Sequence, residues 1–146
     1  MAPQSLQRGG MSYARQMLGS YPSDLKLHAD AEALAKVIEA AGDCAQACVA
    51  DTDADLAETH LAEMVACIRL CQDCADICAV VAAVLSRQAS WDLGVVRPLL
   101  EACRAICRTC GDECQRHAPR HAHCGVCAEA CRRCEQACAE FLTIMS

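Results

Sequence analysis

Fifteen cysteines in a chain of 146 residues fall into four runs, and within each run neighbours stand three or four positions apart. The runs are Cys44, Cys48; Cys67, Cys71, Cys74, Cys78; Cys103, Cys107, Cys110, Cys114; and Cys124, Cys127, Cys131, Cys134, Cys138. At about 100° per residue, a four-three-four run occupies an arc of about 60° on a helix. Each run therefore turns its thiols to one helical face, and the chain reads as helices with sulfur-lined inner sides.

The composition supports that reading. Hydrophobic residues make up 54% of the chain, enough for a core, while aromatic residues are only 3%. The segments between turns are rich in Ala, Leu, Glu, Gln and Arg, which favour helix over strand. A formal charge of -6 argues against a nucleic-acid backbone as partner, because phosphate binding needs a basic surface. No run approaches the roughly 20 apolar residues of a membrane span. Met1 to Ser20 holds no apolar signal core, so a cytoplasmic protein is expected. Thiols are kept reduced there, and an odd number of cysteines cannot pair fully within one chain.

The organisation expected is an arm over residues 1–22 and a bundle over residues 23–146. In the arm, Met11, Ala14, Met17 and Leu18 share one face of a short amphipathic helix ahead of Tyr21 and Pro22. Ser23 and Asp24 are N-cap candidates for a first long helix ending near Ala50, with Asp51, Thr52 and Asp53 as its turn. A second helix is expected over about 54–88, with inner stripe His60, Met64, Cys67, Cys71, Cys74, Cys78, Val81 and Leu85. A third should start between Trp91 and Pro98, with a break or kink there, and reach His117. After Pro119 a fourth carries Cys124 to Met145. Gly111 and Gly125 weaken their helices by about 1 kcal/mol each.

Four long helices with short connections pack antiparallel, giving an all-α up-down four-helix bundle in which Cys stands where Leu would fill the seam. That topology gathers Cys48, His60, Met64, Cys114, His117, His121, His123 and Cys124 at one end. Leu27, Leu34, Val81, Leu85, Val96, Leu100, Phe141 and Leu142 close the other. The result is a thiol channel with one mouth bearing imidazole and thioether groups.

Rows of thiolates select soft ions, chiefly Cu(I), Zn(II) and iron–sulfur clusters. Charge favours Cu(I), since one univalent ion per thiolate leaves a dry interior nearly neutral, whereas each separate Zn(Cys)4 site buries two negative charges. The ferredoxin cysteine run is absent. Cysteines four apart, such as Cys44/Cys48, Cys74/Cys78 or Cys134/Cys138, have Cβ atoms about 5–6 Å apart and can grip one small ion.

The four runs, with the HAPRHAHC segment from His117 to Cys124, resemble the bacterial copper storage proteins over about residues 24–144. The resemblance implies storage of multiple Cu(I) ions per chain, a homotetramer of bundles, and a mouth with His and Met ligands. The lack of an export signal makes the chain similar to the cytosolic branch of that family, with a copper chaperone as a candidate delivery partner. Only two cysteines mark the first helix, a departure from uniform site density.

Other readings stay open. Zinc or general soft-metal sequestration, and a structural bundle joined by disulfides, both accommodate the cysteine runs. Met64 and His60 read equally as a core methionine and a boundary histidine, and Met11, Met17 and Met145 as packing residues. Asp51, Asp53 and Asp55 read as a solvated turn and N-cap cluster, with attraction of cations to the mouth as the lesser reading, and Trp91 as a packing anchor. No residues form a nucleophile, base and orienting-group set, so an enzyme is not expected.

Overall fold

A computed structural model describes residues 12–145; Met11, with the rest of the arm before it, and Ser146 lie outside the described residues. A short helix α1 (Tyr13–Gly19) precedes four long ones, α2 (Ala31–Leu56), α3 (Val65–Ser86), α4 (Leu93–His117) and α5 (Ala122–Ile144), with a 3-10 turn over Leu61–Met64 before α3. Helix α2 packs on α3 and α5, and α4 packs on the same two, so the long helices form a closed ring of neighbours. Short connections make that ring the expected antiparallel up-down bundle.

Local chemistry sets the helix ends. Asp30, not Ser23 or Asp24, caps α2, its carboxylate accepting from Ala33 N–H. Asp92 caps α4 by accepting from Gly94 N–H at 2.8 Å, and that helix runs uninterrupted through Pro98. Pro98 is the sixth residue of α4, past the N–H groups that lack an intrahelical acceptor, so the helix forgoes one bond to Gly94 C=O there and still continues. The expected turn at Asp51 to Asp53 is overturned: α2 continues to Leu56. The expected start of the second helix near residue 54 is overturned as well, and the inward stripe begins at Met64 because His60 stands in the 3-10 entry and is exposed.

All fifteen cysteines are buried, together with Leu34, Val81, Leu85, Val96, Leu100 and Phe141 at the end away from His117, His121 and His123. Gly111 allows the close approach of α4 and α5, since a Cβ there would stand 3.3 Å from Cys131 Cβ and 3.0 Å from the Arg132 guanidinium. The hydrocarbon end is finished by Trp91, which meets Phe141 edge-on and stacks on His28 with centroids 4.9 Å apart. Gln88 is fully buried beside them, donating to Leu85 C=O at 2.6 Å and accepting from His28 N–H at 2.8 Å. Helix α1 is held against the bundle by Arg15, whose guanidinium reaches Glu32 at 2.7 Å and Glu39 at 3.2 Å, and it buries Leu18 in the core.

Candidate metal centre

Because the four-three-four spacing keeps each run on the inner face, the sulfurs of neighbouring helices meet in the middle of the bundle. Cys48 Sγ lies 3.6 Å from Cys127 Sγ, Cys78 Sγ 3.6 Å from Cys107 Sγ, and Cys71 Sγ 3.7 Å from both Cys110 and Cys114. Even diagonal helices make contact, with Cys71 to Cys127 and Cys78 to Cys134 at 3.9 Å. Within one helix, Cys74 to Cys78 is 3.8 Å and Cys110 to Cys114 is 3.9 Å. The single-helix pairs read from the spacing are therefore merged into one network that crosses helices. Cys44 reaches Cys74 and Cys131, and Cys103 reaches Cys78 and Cys134. Cys138, the last cysteine of the seam, is buried as well.

Donor atoms within 4.8 Å of one another form overlapping quartets. Cys44, Cys78, Cys107 and Cys134 make one; Cys44, Cys48, Cys74 and Cys131 a second; Cys48, Cys110, Cys127 and Cys131 a third; and Cys71, Cys110, Cys114 and Cys127 a fourth. Each quartet shares at least one sulfur with another. An ion held in one has ligands of the next within reach, which suits a continuous row of soft ions better than isolated sites. All fifteen thiols are free, so none is consumed by a disulfide.

Toward the mouth the donor set changes. Asp51 completes a quartet with Cys67, Cys71 and Cys114, its Oδ2 lying 3.4 Å from Cys71 Sγ and 3.6 Å from the other two. Asp55 Oδ1 is 3.5 Å from Cys124 Sγ. Both side chains are buried, which overturns their reading as a solvated turn and N-cap cluster; only Asp53 of that group is exposed. Burial pushes the Asp55 carboxyl up to about 8, and burial also raises Asp51, against the hydrogen bond from His123 that lowers it. Burial and the Asp51 carboxylate together hold the Cys124 thiol above its ordinary range.

The imidazoles surround this inner layer. His123 Nδ1 is 2.5 Å from Asp51 Oδ1 and its Nε2 is 2.9 Å from Glu58 Oε1. Burial disfavours its charged form, but the hydrogen bonds with Asp51 and Glu58 outweigh burial and raise its pKa. His121 Nδ1 is 3.2 Å from Glu58, and its ring is 5.7 Å from that of His123 and 6.3 Å from that of His117. His117 is buried, with Nε2 2.7 Å from Glu113 Oε2 and Nδ1 without a partner. Glu113 also pairs with Arg116. The structure thus brings His117, His121, His123 and Cys124 together, places Met64 buried one turn ahead of Cys67, and leaves His60 exposed.

Sequence reasoning did not find Glu58 and Glu113 as members of the mouth, and gave Asp51 and Asp55 at most a part in attracting cations to it. For two of them the signal is in the spacing: Cys44, Cys48, Asp51 and Asp55 repeat the four-three-four interval of the other runs, so α2 carries a full seam whose last two members are carboxylates.

A helical bundle whose buried interior is a chain of overlapping soft-donor quartets, opening on carboxylates and imidazoles, is a metal-sequestering bundle. A copper storage protein profile matches residues 30–143, and the chain belongs to that family. The copper storage protein Ccsp of Streptomyces lividans, in a structure loaded with 10 copper equivalents, is 52% identical with a TM-score of 0.85, over 90% of this chain and 98% of that one. A cytosolic copper storage protein of Streptomyces lividans holding five coppers is 55% identical with a TM-score of 0.75, over 77% and 93% of the two chains. The uncharacterized cysteine-rich protein YhjQ of Bacillus subtilis is 39% identical over 101 residues, 69% of this chain and 88% of the relative.

Proposed function

We propose that this protein stores and buffers multiple Cu(I) ions in the cytosol on the thiolates of its seam. The observation that carries the reading is the set of overlapping cysteine quartets, because shared sulfurs let univalent ions neutralise the interior as they accumulate. Cys44, Cys48, Cys67, Cys71, Cys74, Cys78, Cys103, Cys107, Cys110, Cys114, Cys124, Cys127, Cys131, Cys134 and Cys138 are the proposed storage ligands. His117, His121 and His123 receive copper at the mouth, and Met64 is a secondary thioether candidate there. His60, exposed on the 3-10 entry, is at most an outer contact in this scheme.

Relatives described as copper-loaded, and one described as cytosolic, support the cargo and the compartment. A second solved relative, described as a Cu(I)-bound copper storage protein, supports the oxidation state at 33% identity. Among the described residues no helix is long and apolar enough to cross a membrane. Homotetramer assembly and delivery by a copper chaperone belong to the same proposal, as does the absence of catalysis.

Anaerobic titration with Cu(I) against a competing chelator tests this. Saturation near one copper per cysteine is expected, whereas saturation near one metal per four cysteines identifies a Zn(Cys)4 protein instead. A thiol assay on protein purified from cytosol should find the cysteines free; few free thiols would point to the disulfide-linked bundle.

A further inference from the structure

We infer that the protein also reduces Cu(II) to Cu(I), with the thiols of Cys67, Cys71 and Cys114 as the electron source. This activity goes beyond storage, and only the retention of the Cu(I) so formed rests on the storage reading. It adds a redox step to the seam and assigns no further ligand site.

The first thiol layer is paired across helices. Cys114 Sγ of α4 lies 3.7 Å from Cys71 Sγ and 3.8 Å from Cys67 Sγ, both on α3. Such contacts become a covalent bond when the sulfurs close to about 2.05 Å. Cysteines four apart on one helix have Cβ atoms about 5–6 Å apart, whereas a disulfide holds them about 3.5–4.5 Å apart. Cys67/Cys71 and Cys110/Cys114 therefore do not close within their own helices, and the bond forms between α3 and α4 at Cys114.

The order of donors along the channel brings a cupric ion to this layer. All three thiols are fully buried, so an ion reaches them through the mouth and not through the sides of the bundle. Asp51 Oδ2 accepts from the three thiols at 3.4–3.6 Å, while its Oδ1 meets the partly exposed His123. Across this one carboxylate the donors change from nitrogen and oxygen, which suit Cu(II), to sulfur, which selects Cu(I). Carboxylates contribute little to holding a soft univalent ion, but they suit the divalent form on its way in. The change of oxidation state falls where the donor chemistry changes.

Two cupric ions each take one electron from the thiol pair: 2 Cu(II) + 2 R–SH → 2 Cu(I) + R–S–S–R + 2 H+. Both S–H bonds break, Cys114 Sγ bonds to Cys67 Sγ or Cys71 Sγ, and the two protons leave to water through the mouth. Copper is reduced and sulfur oxidised, and thirteen of the fifteen thiols stay free to hold the product. Sulfur ligation stabilises the cuprous ion and so favours the reaction.

The test adds about two equivalents of cupric sulfate to reduced, metal-free full-length protein without oxygen, a ratio set by one disulfide per two electrons. The cupric electron paramagnetic resonance signal should vanish, and a thiol assay in denaturant with the copper chelated should show a loss of about one thiol per ion. Peptide mapping should find Cys114 joined to Cys67 or Cys71. A cupric signal that persists beside intact thiols overturns the activity, and a disulfide found elsewhere in the seam overturns its assignment to this layer. Cys114→Ala removes the partner common to both pairs, and its cupric signal should still stand when that of the parent has gone; loss at the parental rate overturns the assignment. If this variant does not fold, mapping in the parent still decides. Titration with cuprous salt reads storage separately: full Cu(I) capacity without cupric reduction refutes this inference alone, and cupric reduction with escape of the Cu(I) to a competing chelator refutes storage alone.

Discussion

His123 Nδ1 lies 2.5 Å from one oxygen of Asp51, while the other oxygen of that carboxylate lies 3.4–3.6 Å from the sulfurs of Cys71, Cys67 and Cys114. One buried side chain thus joins the imidazole rim to the first layer of thiols. In the proposed storage role an ion handed inward passes from nitrogen to sulfur across this carboxylate, and the four all-cysteine quartets described above contain no histidine. Replacing His117, His121 and His123 with Ala should slow Cu(I) loading, read by stopped-flow absorbance, and leave the final stoichiometry nearly intact. A large loss of capacity would remove the histidines from the entrance and place them among the storage ligands.

The metal-free bundle should already be folded. Buried cysteine packs as a small hydrophobe, and sulfur contacts of 3.6–3.9 Å leave the seam filled without any ion. Far-ultraviolet circular dichroism should therefore change little on loading, unlike a zinc finger, whose fold forms only with its ion. A chain that gains most of its helicity with copper would contradict this.

The metal-free protein should lose stability as pH rises from 5 to 8, because of Asp55. Its carboxyl titrates near 8 in the fold and near 3.8 when unfolded, so across that interval the folded state holds a proton that the unfolded state has lost. The contribution is full at low pH and falls by at most about 1.4 kcal/mol per pH unit until the folded group ionises. Asp55→Asn removes the titration, so the difference in Tm between variant and parent should widen in the variant's favour toward pH 8. A difference independent of pH would show that Asp55 is ionised in the folded protein.

Phe141→Ala should cost about 3–5 kcal/mol, read by chemical denaturation, since the ring is fully buried and meets Trp91 edge-on. Copper capacity should stay unchanged, because the sulfur quartets lie on the other side of this plug. Gly111→Leu, with a Cβ 3.3 Å from Cys131 Cβ, should destabilise by about 1–3 kcal/mol through overpacking between α4 and α5.

Helical periodicity is a local property, and it made most of this bundle legible. Cysteines three and four apart share a face whatever their neighbours do, so the inward seam on α3, α4 and α5 and the gathering of His117, His121, His123 and Cys124 at one end could be read from spacing alone. Helix boundaries were less legible. Asp30 and Ser23 are both competent caps, and choosing between them depends on where the arm docks, which Arg15 settles by bridging to Glu32 and Glu39.

The character of the mouth needed the packed molecule. Asp51, Thr52 and Asp53 have the composition of a solvated turn, and only the four-three-four interval that runs on through Asp51 and Asp55 opposes that reading. Asp51 and Asp55 become buried ligand-like groups only because His123 and Cys124, some seventy positions away, face them from α5. A carboxylate's burial is decided by the partners that can share its charge, and those partners come from other helices. For the same reason the sulfur pairs expected along single helices, of which Cys74/Cys78 and Cys110/Cys114 are in contact, proved to be parts of a network that also crosses between helices. Spacing assigns a side chain to a face, whereas the approach of two faces sets the distances at which donors can share an ion.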